Sequence, residues 1–134
     1  MKKLILIIML SFSFSLSQKV AVVVNPNIKD ISKEEVKELL LGIKRTINGH
    51  SNPKIILSKD KKINKKAIEK LLGISYENFK VYWFEKALAG EGNIPKEMNY
   101  RKAIREIKRH KGSIGILPAD KIKRSGLKVI MVFE

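Results

Sequence analysis

Residues Val20–Val24 read Val-Ala-Val-Val-Val and are closed by Asn25-Pro26-Asn27. Side chains of a strand alternate between its two faces, so a run that is apolar at every position predicts a strand covered on both sides. Such a strand needs apolar helices above and below its sheet, which points to an α/β architecture.

The downstream pattern supplies those helices. Ser32 with Glu35 three residues on is a capping box, Val36, Leu39, Leu40 and Ile43 give one apolar side, and Gly42 sits where a helix commonly stops. Arg45 to Pro53 reads as a polar turn region around Asn48-Gly49, and Lys54 to Ser58 as a short strand. Asn64 is placed to cap a helix carrying Ala67, Ile68, Leu71 and Leu72, ended by Gly73. Ser75 caps the next, which holds Tyr76, Phe79, Tyr82, Trp83, Phe84, Ala87 and Leu88. Gly90 to Pro95 is a loop, and Asn99 opens a helix with Ala103, Ile104 and Ile107 inward. Ser113–Leu117 and Lys128–Phe133 read as the last strands.

The first residues carry a different signal. Lys2 and Lys3 precede an apolar run from Leu4 to Leu16, and Ser15-Leu16-Ser17 offers small residues at the two positions a signal peptidase reads. The expectation is a signal peptide at 1–17 and a single domain at 18–134. The run falls short of the roughly 20 residues that span a bilayer, so no membrane span is expected once the leader is cleaved. The chain has no cysteine, which excludes a disulfide framework and a thiolate zinc site.

The formal charge is +15, unevenly spread. Between Arg101 and Lys128, ten basic residues face only Glu106 and Asp120, and Lys54–Lys70 is a second lysine-rich stretch. A field of that sign attracts phosphate, nucleic acid or anionic lipid. An export leader and the lack of any nucleic-acid motif argue against nucleic acid.

No catalytic pattern stands out. There is no Gly-x-Ser-x-Gly elbow, no cysteine nucleophile and no His-Glu-x-x-His helix, and His50 and His110 lack ligand motifs. The expectation is a protein without enzymatic activity, metal or cofactor. One place could hold an anion. The strand Lys54–Ser58 runs through Lys59-Asp60-Lys61-Lys62-Ile63-Asn64 into a helix, whose first amides and dipole favour negative charge. Tyr82 and Trp83, at helical spacing with Phe79 and Ala87, read as core rather than a stacking platform.

Taken in order, VAVVVNPN (Val20–Asn27), ISKEEVKELLLG (Ile31–Gly42), LLGISYENFKVYWFEKALAGEGNIPKE (Leu71–Glu97) and HKGSIGILPAD (His110–Asp120) resemble the phosphate-type periplasmic solute-binding proteins of ABC transporters. The short, single-lobe members are the nearest in pattern. The resemblance implies one lobe of a type II periplasmic-binding-protein-like fold, a mixed sheet flanked by helices. It also implies export to the periplasm, a small oxyanion such as phosphate as ligand, and an ABC permease or another membrane complex as partner. A derived role as an interaction module, docking to an acidic partner through the basic helix that Asn99 opens, is the alternative. In the family an arginine followed by Gly-Ser-Gly-Thr contacts phosphate. Here Lys59 matches that arginine in charge alone and the glycine-serine nest is missing, so the oxyanion set becomes Lys59, Lys61, Lys62 and Asn64.

Overall fold

A computed structural model describes residues 18–134, and the expected leader at 1–17 lies outside them. The elements run β1 (Val20–Val24), α1 (Lys33–Leu40), β2 (Thr46–Ile47), β3 (His50–Ser51), β4 (Lys54–Ser58), α2 (Lys61–Leu72) and α3 (Tyr76–Leu88). They continue with β5 (Lys96–Met98), α4 (Tyr100–Arg109), β6 (Ser113–Pro118), a 3-10 turn (Ala119–Lys121) and β7 (Lys128–Phe133).

Five strands form one mixed sheet in the order β5-β4-β6-β1-β7. β4 pairs parallel with both β5 and β6, while β1 is antiparallel to β6 and β7. The chain leaves β4 through α2 and α3 to reach β5, then returns through α4 to β6 on the other side of β4. Two crossovers of the same hand that run in opposite directions must use opposite faces of the sheet. The packing agrees. Val20, Val22, Val24, Ile55, Leu57, Ile114 and Ile116 meet α1, α2 and α3 on one face. Ala21, Val23, Ile56 and Leu117 meet Ala103 and Ile107 of α4, with Ile122 and Leu127, on the other. All five residues of β1 are buried, as the unbroken apolar run requires.

Sequence patterns place the helix starts well at three of four sites. Ser32 Oγ accepts from the Glu35 amide at 3.1 Å, Ser75 Oγ from Asn78 at 3.0 Å, and Asn99 Oδ1 from Lys102 at 2.9 Å. The fourth differs. Asp60 caps α2, accepting from the Lys62 amide at 3.0 Å, and Asn64 lies inside the helix. Asp60 satisfies a first-turn amide, that of Lys62, one turn earlier than Asn64 could, so the helix gains a turn at its start.

Two elements emerge where loop was expected. β2 and β3 close a small hairpin around Asn48 and Gly49, both at positive φ, the backbone that two-residue hairpin turns require. β5 has neither β-branched residues nor alternation, and it is a strand because β4 offers it a free edge. Two apolar expectations also shift. Ile43 lies past the end of α1 and is exposed, and Phe84 and Leu88 point to solvent while Tyr76, Phe79 and Trp83 are buried.

α4 approaches the sheet closely. A Cβ added to Gly115 of β6 would lie 2.5 Å from Ile107 Cδ1, so glycine there lets the helix settle. Among the described residues no helix is long and apolar enough to cross a membrane.

Candidate functional site

In an open parallel sheet, ligands sit beyond the carboxyl ends of the strands, where successive crossovers leave on opposite faces. In this domain that place is the end of β4. Ser58 pairs in register with Met98 of β5, and just past these residues α2 starts on one face and α4 on the other. Lys59, Lys61 and Lys62 are exposed at this junction. None of them pairs with a carboxylate among the ion pairs of the described residues.

The fourth expected ligand behaves differently. Asn64 is fully buried. Its Oδ1 accepts from the Ser58 amide at 3.0 Å, and its Nδ2 donates to the Ser58 carbonyl at 2.7 Å and to the Tyr76 hydroxyl at 3.2 Å. The carboxamide therefore clamps the end of β4 to α2 and has no free valence to offer a solute. Its role is positional, because it fixes the loop that displays the lysines.

The network continues outward. The Tyr76 hydroxyl donates to Glu97 of β5, tying α3 to the sheet edge. Burial first, and the hydrogen-bonded Glu97 carboxylate second, hold the Tyr76 phenol above its ordinary value, so it stays a neutral donor. Ser58 Oγ accepts from the Asp60 amide at 2.9 Å, completing a junction in which the polar groups satisfy one another.

Electrostatically the junction is mixed. Three lysines and the helix dipole favour an anion, while the Asp60 carboxylate already fills the Lys62 amide in the first turn of α2. A phosphate approaching that amide meets a like charge. The site can attract an oxyanion through point charges but lacks a vacant backbone cradle, which limits affinity.

A second concavity lies beside β5. Leu57, Phe79, Trp83, Phe84, Ile94 and Pro95 line a groove of about 280 Å³, with Lys80 and Glu97 at its rim. Trp83 is anchored there, its Nε1 donating to the Leu40 carbonyl at 3.0 Å, so it serves the core as expected. Tyr82, half-buried, donates its hydroxyl to the Leu41 carbonyl. Among the described residues no group of three or more His, Asp or Glu is placed to hold a metal ion.

Asn25 was legible only as the end of a strand. It is buried, and its Nδ2 donates to the carbonyls of Ile107 and Lys108, each at 3.0 Å, closing the last turn of α4. Its neighbours Pro26 and Asn27 mark a turn, but nothing local marks a contact with a helix so distant in sequence.

The fold defines an α/β lobe of the periplasmic-binding-protein type. Among solved structures it is similar to the crystal structure of an ABC-type phosphate transport receptor from Vibrio cholerae, with a TM-score of 0.58 and 13% sequence identity. The match covers 85% of this chain and 46% of the receptor, so the chain spans less than half of that protein's length. No protein-family model matches the sequence, and no curated protein matches it.

Proposed function

We propose that this chain is an exported, non-enzymatic, solute-binding-like lobe that meets a small oxyanion such as phosphate weakly at the carboxyl end of β4. The observation that carries the reading is the exposed trio Lys59, Lys61 and Lys62 at the strand-to-helix junction of a fold shared with a phosphate receptor. Weak affinity follows from the Asp60 carboxylate in the helix start and from an open half-site that water and salt screen. Periplasmic residence follows from the leader pattern at 1–17 together with the kinship of fold. Neither a metal nor a cofactor is needed for this role. A phosphate titration followed by amide NMR tests it: Lys62–Lys65 should shift on saturation, and an unmoved set of amides would end the oxyanion reading.

A second reading is a periplasmic interaction module that docks to a membrane complex such as an ABC permease, or to another acidic partner. It is favoured by α4, whose Arg101, Lys102, Arg105, Lys108 and Arg109 are all exposed. Charge reversal along α4 should then abolish partner capture and leave the phosphate response unchanged.

A further inference from the structure

We propose that the α4 side of the domain is a docking face for a bilayer bearing anionic headgroups. This inference rests on the export reading, competes with the acidic-partner reading of α4, and is independent of oxyanion binding at Lys59, Lys61 and Lys62.

The face is a continuous cationic surface. Of the five exposed cations of α4, only Arg109 is engaged by a carboxylate among the described residues, Glu106 at 3.7 Å. The segment after β6 extends the charge. Lys121 Nζ lies 5.5 Å from the ring centre of Tyr100 and the Arg101 guanidinium 5.7 Å from it, joining the 3-10 turn to the start of α4. Further along, the Lys108 ammonium runs beside Gly126, 3.6 Å from where a Cβ would stand, and Lys123 and Arg124 are exposed in between. The two acidic residues in this sweep are committed. Glu106 faces Lys54, Arg109 and His110, and Asp120 accepts from the side-chain Nε2 of Gln18 at 3.1 Å.

Two observations favour a bilayer over other polyanions. The first is where the chain continues. Gln18, which contacts Asp120 within this surface, is the residue to which Met1–Ser17 and its apolar run are joined. Until the leader is cleaved at the membrane, this part of the domain emerges next to lipid, where its cationic face can engage headgroups. The second is an apolar shelf on the same face. Ile130, Met131 and Phe133 of β7 pack toward the α1–α3 side, which leaves Val129 and Val132 on the α4 side, 42% and 49% exposed. With Ile122 and Leu127 they line a recess of about 700 Å³ bordered by Lys19, Lys123 and the Asp120 carboxylate. Basic side chains around exposed aliphatic ones suit an anionic interface, whereas a phosphodiester backbone rewards only the charge. Tyr100, half-buried between Arg101 and Lys121, adds an amphipathic ring suited to headgroup depth.

Vesicle sedimentation tests the proposal with residues 18–134, which contain both faces of the core. Vesicles mixing phosphatidylcholine and phosphatidylglycerol should retain the protein in a salt-sensitive manner, and pure phosphatidylcholine should not. The R101E/R105E/K108E variant should bind roughly 100-fold more weakly, at about fivefold per headgroup contact. The K29E/K33E/K80E variant carries the same change of net charge on other surfaces and should retain most of the binding. V129S/V132S should weaken binding while leaving its salt dependence in place. Equal losses in the two charge variants, or equal binding to neutral vesicles, would overturn the proposal. So would release from vesicles by a short DNA duplex or polyglutamate at matched charge, which would assign the face to soluble polyanions. Wild-type protein that binds these vesicles but shows no phosphate response at Lys62–Lys65 would remove the oxyanion reading and leave this one standing.

Discussion

The side-chain amide of Asn25 donates to the carbonyl oxygen of Ile107 at 3.0 Å, and to that of Lys108 at the same distance, tying the end of β1 to the last turn of α4. Two residues far apart in the chain thereby share one buried polar contact, and the first prediction tests it. Asn25→Ala leaves helix-end carbonyls buried without a donor and should cost about 2–3 kcal/mol in denaturant unfolding. Asn25→Asp should cost more at neutral pH, because a carboxylate would then face two carbonyl oxygens. Its deficit should shrink in acid, since a carboxyl held above its unfolded pKa contributes stability that is lost as pH rises.

Asn64 carries a comparable load at the carboxyl end of β4. Asn64→Ala strands the Ser58 amide and carbonyl, both in a buried setting, and should destabilise by about 3 kcal/mol. The measurement that separates this role from a ligand role is thermal melting without any anion, where the loss should already be complete.

Tyr76 links stability to alkaline pH. Its folded pKa is raised, so the native state holds the phenol proton where the unfolded chain begins to release it. The sign follows: its contribution is full below the unfolded value of about 10 and declines as pH rises beyond it. Urea midpoints measured from neutral pH upward should fall more steeply for the wild type than for Tyr76→Phe. Parallel curves would show that the Tyr76–Glu97 contact is not protonation-linked.

Asp60 should oppose anion binding while supporting the helix. Asp60→Asn keeps a capping oxygen and removes the charge, so stability should change by less than about 1 kcal/mol. Phosphate-induced amide shifts at Lys61 and Lys62 should grow in this variant. The K59A/K61A/K62A variant should lose them without loss of melting temperature, because all three side chains are exposed.

Gly42 leaves room for the Trp83 indole. An added Cβ would stand 2.6 Å from Trp83 Cη2, and the backbone there has φ +70°. Gly42→Ala should therefore cost about 3 kcal/mol, combining left-handed backbone strain with overpacking. Near-ultraviolet circular dichroism of the indole should change with it.

Much of the candidate site was legible because its signals are local. A strand running into a lysine-rich turn and then a helix marks Lys59, Lys61 and Lys62 from sequence, and the exposed trio stands where that pattern put it. Asn64 and Asp60 exchanged roles because both residue types cap helices well, and the choice between them depended on where Ser58 and Tyr76 would sit. The aromatic helix was visible, yet its buried side was not. Tyr76, Phe79 and Trp83 turn inward while Phe84 faces water, a selection made by the sheet and by Leu40.

By itself the sequence determined the α/β class, the doubly covered strand Val20–Val24, three helix caps and the uneven positive charge. These depend on side-chain periodicity and on hydrogen bonds spanning a few residues, which a chain carries wherever it folds. The tertiary structure alone decided that Lys96–Met98 would become an edge strand, that Asn25 would close α4, and that the basic residues of α4 and of Lys121–Arg124 would share one face with Val129 and Val132. Each of those joins groups distant along the chain, and their energy exists only after the loops between them have closed.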